Sequence, residues 1–244
     1  MINESELPKV SIITVSFNSV ETIEKTIQSV INQTYSNVEY IIIDGGSTDG
    51  TVDVIKKYED RITHWVSEPD NGIYDAMNKG IKLSNGKLIG IINSDDWYET
   101  NAVKNAVDVY NRMNNVVIYG MLRMIKNEKV QFIKGYTHET LSNQMIQHPT
   151  CFVPKDLYDK YGVFNLKYKI SADFELMQRL KANNVSFEMI EKIQANFRLG
   201  GASTSIIGPL ESLNIRYEYG YISRFNYLLR KLMTYILYNV KKYV

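Results

Sequence analysis

Acidic and amide side chains stand at four places where a short β-rich run stops. Asp44 ends "VEYIIID" and opens "DGGSTDGT", with Ser47 and Asp49 close behind. The run "KVSIITVS" stops just before Asn18, "ITHWVS" leads into "EPDNG", and "KLIGIINS" runs into Asp95 and Asp96. Each is an ordinary turn or cap when taken alone: Gly45 and Gly46 permit unusual backbone angles, and Ser47 or Asp49 can cap the next helix. Their coincidence carries more weight. Ligands of an open parallel sheet bind beyond the carboxyl ends of its strands, and turns have no reason to concentrate carboxylates on one rim. Like charges a few ångströms apart repel, which a bound divalent cation offsets. Oxygen donors with no His/Cys cluster favour Mg²⁺ or Mn²⁺ over zinc. Such ions bind through one or two carboxylates plus substrate phosphates, which suits a nucleotide diphosphate.

The elements that must position these groups alternate along the first half. The runs "KVSIITVS", "VEYIIID", "ITHWVS", "KLIGIINS" and "NVVIYG" read as strands, three of them near-continuously apolar as in a sheet covered on both faces. Between them the spacing predicts helices over Glu21–Asn32, Thr51–Tyr58 and Ile73–Ser84. The class is α/β with a mostly parallel sheet. The second half is less regular: "EKVQFIKG" reads as a strand, "ISADFELMQRLKANN" as a helix, "VSFEMI" as a strand closing on the sheet, and "FRLGGAST" as a loop. We divide the chain into residues 1–120, 121–205 and a helical tail, 206–244.

That tail changes composition. From Leu213 onward it holds seven tyrosines, six Arg/Lys and one acid. Phe225, Leu228, Leu229, Leu232, Met233, Ile236, Leu237 and Val240 form a helical stripe, with Arg224, Arg230, Lys231, Lys241 and Lys242 around it. Two readings are open: a helix packed on the domain or on a second copy in a homodimer, or a basic amphipathic helix resting on an anionic membrane. The formal net charge of +1 gives no global field for nucleic acid, and the single cysteine, Cys151, fits a reducing compartment. "MINESELPKV" has no apolar core of a signal peptide, and no window approaches 18 uninterrupted apolar residues. The expected place is the cytoplasm, at the inner face of the membrane if the tail binds there.

Four pieces in this order, "VSIITVSFNS", "EYIIIDGGSTDGT", "SEPDNGIYDAMNKG" and "INSDDWY", resemble a family 2 glycosyltransferase of the GT-A fold. The likeness continues more loosely through "HPTCFVPKDLYDKYGVFNLKYKISADFELMQRL" and "FRLGGAS" to about Ser203 and leaves the tail uncovered. The resemblance implies an inverting, metal-dependent transferase of surface polysaccharide biosynthesis, moving a sugar from a nucleotide-sugar donor, a UDP-sugar by preference, to a saccharide or lipid-linked acceptor. It places Thr14, Ser16 and Asn18 around the nucleotide, Asp44 on the base with Ser47 and Asp49 nearby, and Asp75 and Lys79 near the ribose and diphosphate, with Asn71 and Gly72 shaping that loop. Asp95 and Asp96 match the pair that faces the ribose and binds Mn²⁺ or Mg²⁺, with Asn93 where an Asp is frequent. Asp173 in "SADFEL" takes the place of the catalytic base, Ala172 stands where a Glu is frequent, and Glu175 is the fallback. His148 faces acceptor or diphosphate, and Arg198, Gly200 and Gly201 form a closing loop.

Rival readings fit less. A sugar-1-phosphate nucleotidyltransferase resembles a Gly-rich, Arg/Lys-bearing loop after the first strand, and "SFNSVET" has neither feature. A dinucleotide fold needs G-x-G-x-x-G after a strand, and "DGGSTDG" has the wrong spacing. A non-catalytic nucleotide-sugar binding protein has no need of Asp95, Asp96 and Asp173 together.

Overall fold

Residues 7–200 and 206–243 are described by the computed structural model. Strands β1 (Val10–Ser16), β2 (Val38–Asp44), β3 (His64–Ser67) and β4 (Leu88–Asn93) run parallel in the spatial order β3-β2-β1-β4. Their connections include helices α1 (Ile23–Ile31), α2 (Thr51–Lys56) and α3 (Ile73–Leu83). Alternation along each strand divides the core in two. Ile13, Val15, Ile41, Ile43, Ile89 and Ile91 join Met77 and Ile81 of α3 in one cluster, while Ile12, Ile42, Leu88 and Ile92 meet Ile23, Ile27 and Ile55 in the other. Both faces are covered, which is why these strands read as apolar runs. The approach of α3 to β1 needs Gly80, where a Cβ would lie 2.4 Å from Ile13 Cγ2.

The rest of the sheet is mixed. After β5 (Trp97–Tyr98) and α4 (Ala102–Tyr110), β6 (Val116–Lys126) turns back into β7 (Lys129–Lys134) through Asn127 and Glu128, both with positive φ as a two-residue hairpin loop requires. Then come β8 (Phe152–Pro154), α5 (Lys155–Tyr161), α6 (Ala172–Ala182) and β9 (Ser186–Arg198). The order continues β4-β8-β6-β9-β5, with β8 antiparallel to both neighbours and β9 parallel to β6. The long pairing with β6 extends β9 well past the expected "VSFEMI", so Phe197 and Arg198 are strand and the loop begins at Leu199. Helices α4 and α5 are further elements that the sequence pattern did not reveal.

Two helices occupy the last segment. Helix α7 (Ile207–Glu218) packs on α6 and puts Ile215 into the core cluster that holds Leu176 and Leu180, so it belongs to the body. Helix α8 (Arg224–Tyr243) contacts α7 and leaves its apolar stripe exposed. The expectation that the stripe packs on its own domain is therefore not met.

Candidate active site

The parallel register brings the four strand ends level: Ser16 pairs with Asp44, Asp44 with Ser67, and Val15 with Asn93. Because β2 and β4 lie on opposite sides of β1, the chain switches direction across the sheet at this point, where an open sheet leaves a crevice. A cavity of about 990 Å³ opens there. Its wall combines Phe17, Asn18 and Asp49, Asp70 and Tyr74, Asn93 and Asp95, and, from the second half, His148, Ile170 and Asp173.

The loops after β1 and β2 are tied together by the residues read from "SFNS" and "DGGSTDGT". Asn18, with φ +48°, donates its N–H to Ser47 Oγ at 2.7 Å and accepts from the Thr48 N–H at 3.0 Å. Asp49 accepts from the Val20 and Thr51 N–H groups at 3.0 Å each and from Thr51 Oγ1 at 2.6 Å. The Asp44 carboxylate is fully buried and does not line the cavity. Ser16 Oγ and Ser47 Oγ donate to one of its oxygens; the Gly46 and Ser47 N–H groups and Ser67 Oγ donate to the other. Burial alone would push this carboxyl up, but the donors together outweigh it and hold it below the usual range. A carboxylate saturated in this way braces three strand ends and has little capacity left for a nucleobase, contrary to the role expected for Asp44.

The neighbouring position offers another acid. Gly45 has no side chain, and a Cβ there would lie 2.6 Å from Asp70 Oδ2 and 3.3 Å from Phe17 Cδ2. Asp70 thus leans over Gly45 into the cavity, its Oδ1 held by the Gly72 N–H at 2.8 Å, beside a Phe17 ring that is 63% exposed. Sequence reasoning passed over both; a large exposed aromatic directly after a buried strand was the available signal. Lys79 and Asp75 lie outside the cavity wall. Lys79 Nζ pairs with Glu68 at 2.8 Å and donates to Pro69 O at 3.3 Å, and Asp75 accepts from the Asn71 N–H at 3.0 Å. They shape the loop carrying Asp70. Thr14 is also outside, buried mid-strand against Tyr40 OH at 3.1 Å, and Ser16 reaches the cavity while its hydroxyl faces Asp44.

At the tip of β4 the two aspartates differ. Asp95 lines the cavity; Asp96 is fully buried beneath it, with Oδ1 accepting from the Arg198 N–H at 3.0 Å and Oδ2 without a partner. Burial raises the carboxyl of Asp95, and burial followed by the charge of Asp95 raises that of Asp96 well above the usual range. Asn93 Oδ1 is a second buried oxygen without a partner. Orphaned oxygens beside a carboxylate are the donor set a hard divalent cation takes, so these residues fit Mn²⁺ or Mg²⁺. No group of three or more His, Cys, Asp or Glu gathers into a metal cage among the described residues.

Across the cavity, Asp173 stands in the first turn of α6. Tyr74, from α3, places its hydroxyl 2.9 Å from Asp173 Oδ1 and 2.7 Å from Ile170 O. Burial, then the Asp173 charge, raises the Tyr74 hydroxyl far above its ordinary value, so it stays a donor. His148 lines the same wall; burial holds its imidazole below its usual value, with Asp173 opposing. Glu175 points away from the cavity, bound by Tyr219 OH at 3.1 Å and Arg179 at 3.2 Å, which removes the geometric basis for a second base. The Arg198 guanidinium pairs with Glu128 at 2.5 Å over the Trp97 ring. Gly201, the remaining expected position, lies outside the described residues; Gly200 has φ +116°.

A parallel half-sheet with acids along its switch point, completed by an antiparallel-linked half that supplies one more acid, is the GT-A architecture of nucleotide-sugar transferases. The chain belongs to glycosyl transferase family 2, whose family model matches residues 11–181. It is 34% identical over 179 residues to an uncharacterized glycosyltransferase of Mycobacterium tuberculosis, covering 70% of this chain and 68% of the relative. It is 30% identical over 185 residues to the Escherichia coli UDP-Glc:alpha-D-GlcNAc-diphosphoundecaprenol beta-1,3-glucosyltransferase WfaP, covering 75% and 66%. Among solved structures, TarS residues 1–349 of S. aureus in complex with UDP shares the fold at TM-score 0.70 and 19% identity, covering 86% of this chain and 65% of that one. The mannosyltransferase PcManGT of Pyrobaculum calidifontis, solved with GDP-Man and Mn²⁺, does so at TM-score 0.68 and 15% identity, covering 88% and 65%. The chain thus spans about two thirds of the length of these solved chains.

Proposed function

We propose that the chain transfers a sugar from a UDP-sugar to a hydroxyl of a lipid-linked saccharide, with inversion, in the assembly of a surface polysaccharide. The observation that carries this reading is one shared cavity with Asp95 and Asp70 on the donor side and Asp173, held by Tyr74, on the other. Its volume suits a nucleotide sugar with room for an acceptor. UDP as nucleotide is supported by the printed ligand of TarS and the printed donor of WfaP, and the lipid-linked acceptor by the printed substrate of WfaP.

In this scheme the base lies between Phe17 and the Asp70 carboxylate, which accepts the imide N–H; Asp44 braces the loop beneath. Asp95, Asp96 and Asn93 would hold Mn²⁺ or Mg²⁺, which when bound would supply positive charge against the diphosphate. Asp173 takes the proton of the acceptor hydroxyl while the oxygen bonds to the anomeric carbon, and the bond from that carbon to the phosphate oxygen breaks on the opposite face. The leaving UDP carries away the electron pair and the proton rests on Asp173 until water removes it. Tyr74 orients the base, and His148, kept neutral, adds no competing charge beside it.

The test is UDP release from a panel of UDP-sugars with Mn²⁺ present, repeated with Asp173→Asn. Transfer in that variant should fall by about 10²–10⁴-fold while UDP binding stays unchanged by calorimetry. Wild-type turnover by Asp173→Asn would remove the assignment. UDP binding with no turnover on any donor would favour the non-catalytic alternative.

A further inference from the structure

We propose that α8 is a docking helix for an anionic bilayer, lying flat on the lipid surface with its apolar stripe inserted. The helix meets its own domain with the wrong side for an ordinary amphipathic helix. Tyr227 stacks on Tyr217 of α7 at 4.6 Å and donates its hydroxyl to Asn214 at 2.9 Å, and Lys231 Nζ donates to Tyr227 OH at 3.0 Å. The polar side is thereby turned inward. The stripe faces out: Phe225 is 74% exposed, Leu232 57% and Leu237 59%, with Leu228, Leu229, Met233 and Ile236 about half exposed. A contiguous apolar band of this kind marks an interaction surface.

Charge decides among occupants. The helix contains Arg224, Arg230, Lys231, Lys241 and Lys242 and no Asp or Glu. At about 100° per residue, Arg230 falls on one flank of the stripe and Arg224 on the other, while Lys231 lies on the inward side with Tyr227. A second copy pairing through the same stripe would set these cations against identical cations with no acid between them. An anionic headgroup layer complements both flanks at once, with the long basic side chains reaching up to it as the apolar residues enter the acyl boundary. Tyr235, exposed at the edge of the stripe, suits the polar–apolar boundary. No described helix is long and apolar enough to cross a membrane, so the geometry is that of a helix on the surface.

The experiment is co-sedimentation of the full chain with phosphatidylcholine vesicles, with and without phosphatidylglycerol at about 30 mol%. Binding should be strong with the anionic lipid, fall with added salt, and weaken about fivefold for each of Arg224→Ala and Arg230→Ala. The triple variant Leu228→Glu, Leu232→Glu, Ile236→Glu should lose at least about 100-fold in affinity. Since these side chains are exposed, its circular dichroism and its UDP-sugar hydrolysis in vesicle-free buffer should match wild type. Three outcomes overturn the proposal: no binding to either vesicle, binding the triple variant retains, or a dimer in sedimentation equilibrium that the triple variant abolishes, which would make a second copy the occupant. Hydrolysis is measured without lipid, so failure of the docking helix and failure of the transferase reading are told apart.

Discussion

Replacing Tyr74 by Phe removes one oxygen from the molecule and tests whether α3 aims the base. The hydroxyl has a single hydrogen and two acceptors, Asp173 Oδ1 at 2.9 Å and Ile170 O at 2.7 Å. With Asp173 ionised, the hydrogen goes to the carboxylate, since otherwise two oxygen lone pairs would face each other at that distance. A hydrogen bond to a charged group contributes about 1.5–3 kcal/mol. If that interaction holds the carboxylate toward the acceptor, its loss lowers kcat roughly 10- to 100-fold. The ring itself stays: Phe keeps the contact with Phe164, whose centroid lies 5.3 Å away, so the fold should lose no more than that same ~1.5–3 kcal/mol, with no packing lost besides. Donor KM should hold within about twofold, because the ring still forms the same part of the wall. A donated hydrogen bond also weakens a carboxylate as a base, so removing it would by itself speed proton transfer. A loss of kcat therefore isolates orientation from basicity. The assay is steady-state UDP release with acceptor saturating, alongside a thermal melt. A kcat within twofold of wild type, or a defect confined to donor KM, would refute the positioning role.

Three further outcomes rest on the geometry of the site. Gly45→Ala places a methyl 2.6 Å from Asp70 Oδ2, so Asp70 must swing away; UDP affinity should drop about tenfold by calorimetry with little change in melting temperature, and an unchanged affinity would take Asp70 off the base. Asp96→Asn puts an amide where a buried carboxylate oxygen has no partner, so the metal-free protein should melt a few degrees higher while the gain on adding Mn²⁺ disappears; a Mn²⁺ gain equal to wild type would exclude Asp96 as a ligand. Asp44 and Glu39 are both held below the usual range by their donors, which outweigh burial. The stability they add is present above the unfolded carboxyl values of about 4 and is lost as pH falls through the lower folded values. Melting temperature should therefore fall steeply below about pH 4, and Asp44→Asn should melt lower at neutral pH with a shallower acid decline, which a pH series of melts measures.

The strands, their parallel pairing and the acid-bearing rim were legible because strands buried on both faces read as apolar runs, and the acids stand within a few residues of each run's end. Legibility failed where a side chain's partner comes from elsewhere in the chain. Asp44 at a strand end suggests a ligand contact; only the fold shows Ser16, Ser47 and Ser67 converging on it. Tyr74 stands in the expected helix Ile73–Ser84 with nothing local to mark it, and its partner Asp173 lies 99 positions away. Helix α4 was missed because three of the nine residues of "AVKNAVDVY" are β-branched valines, although Ala102, Val103, Ala106 and Val107 keep helical spacing and are buried. Arg198 was assigned to a loop because nothing local announces a strand as long as β9. The periodicity of α8 was evident, but periodicity identifies a face without saying what covers it.

The same limit bears on how the last two helices meet the chemistry. Glu211 of α7 accepts the N–H groups of Lys169, Ile170 and Ser171, at 2.7, 2.9 and 2.9 Å, in the segment that leads into α6 and forms the cavity wall beside Asp173. The same helix carries α8 through Tyr217 and Asn214. One rigid helix therefore joins the base-bearing wall to the exposed apolar stripe. A soluble acceptor needs no such link. An acceptor whose lipid stays in the bilayer does, because its sugar can meet Asp173 only if the cavity stands at a fixed height over the membrane. Two packed helices hold that distance better than a flexible tail would, since each contact adds constraint without adding loop entropy. On the docking proposal, the inward-facing Tyr227 of α8 has a mechanical purpose: it fixes the stripe's direction relative to the cavity and leaves the apolar face outward for the lipid.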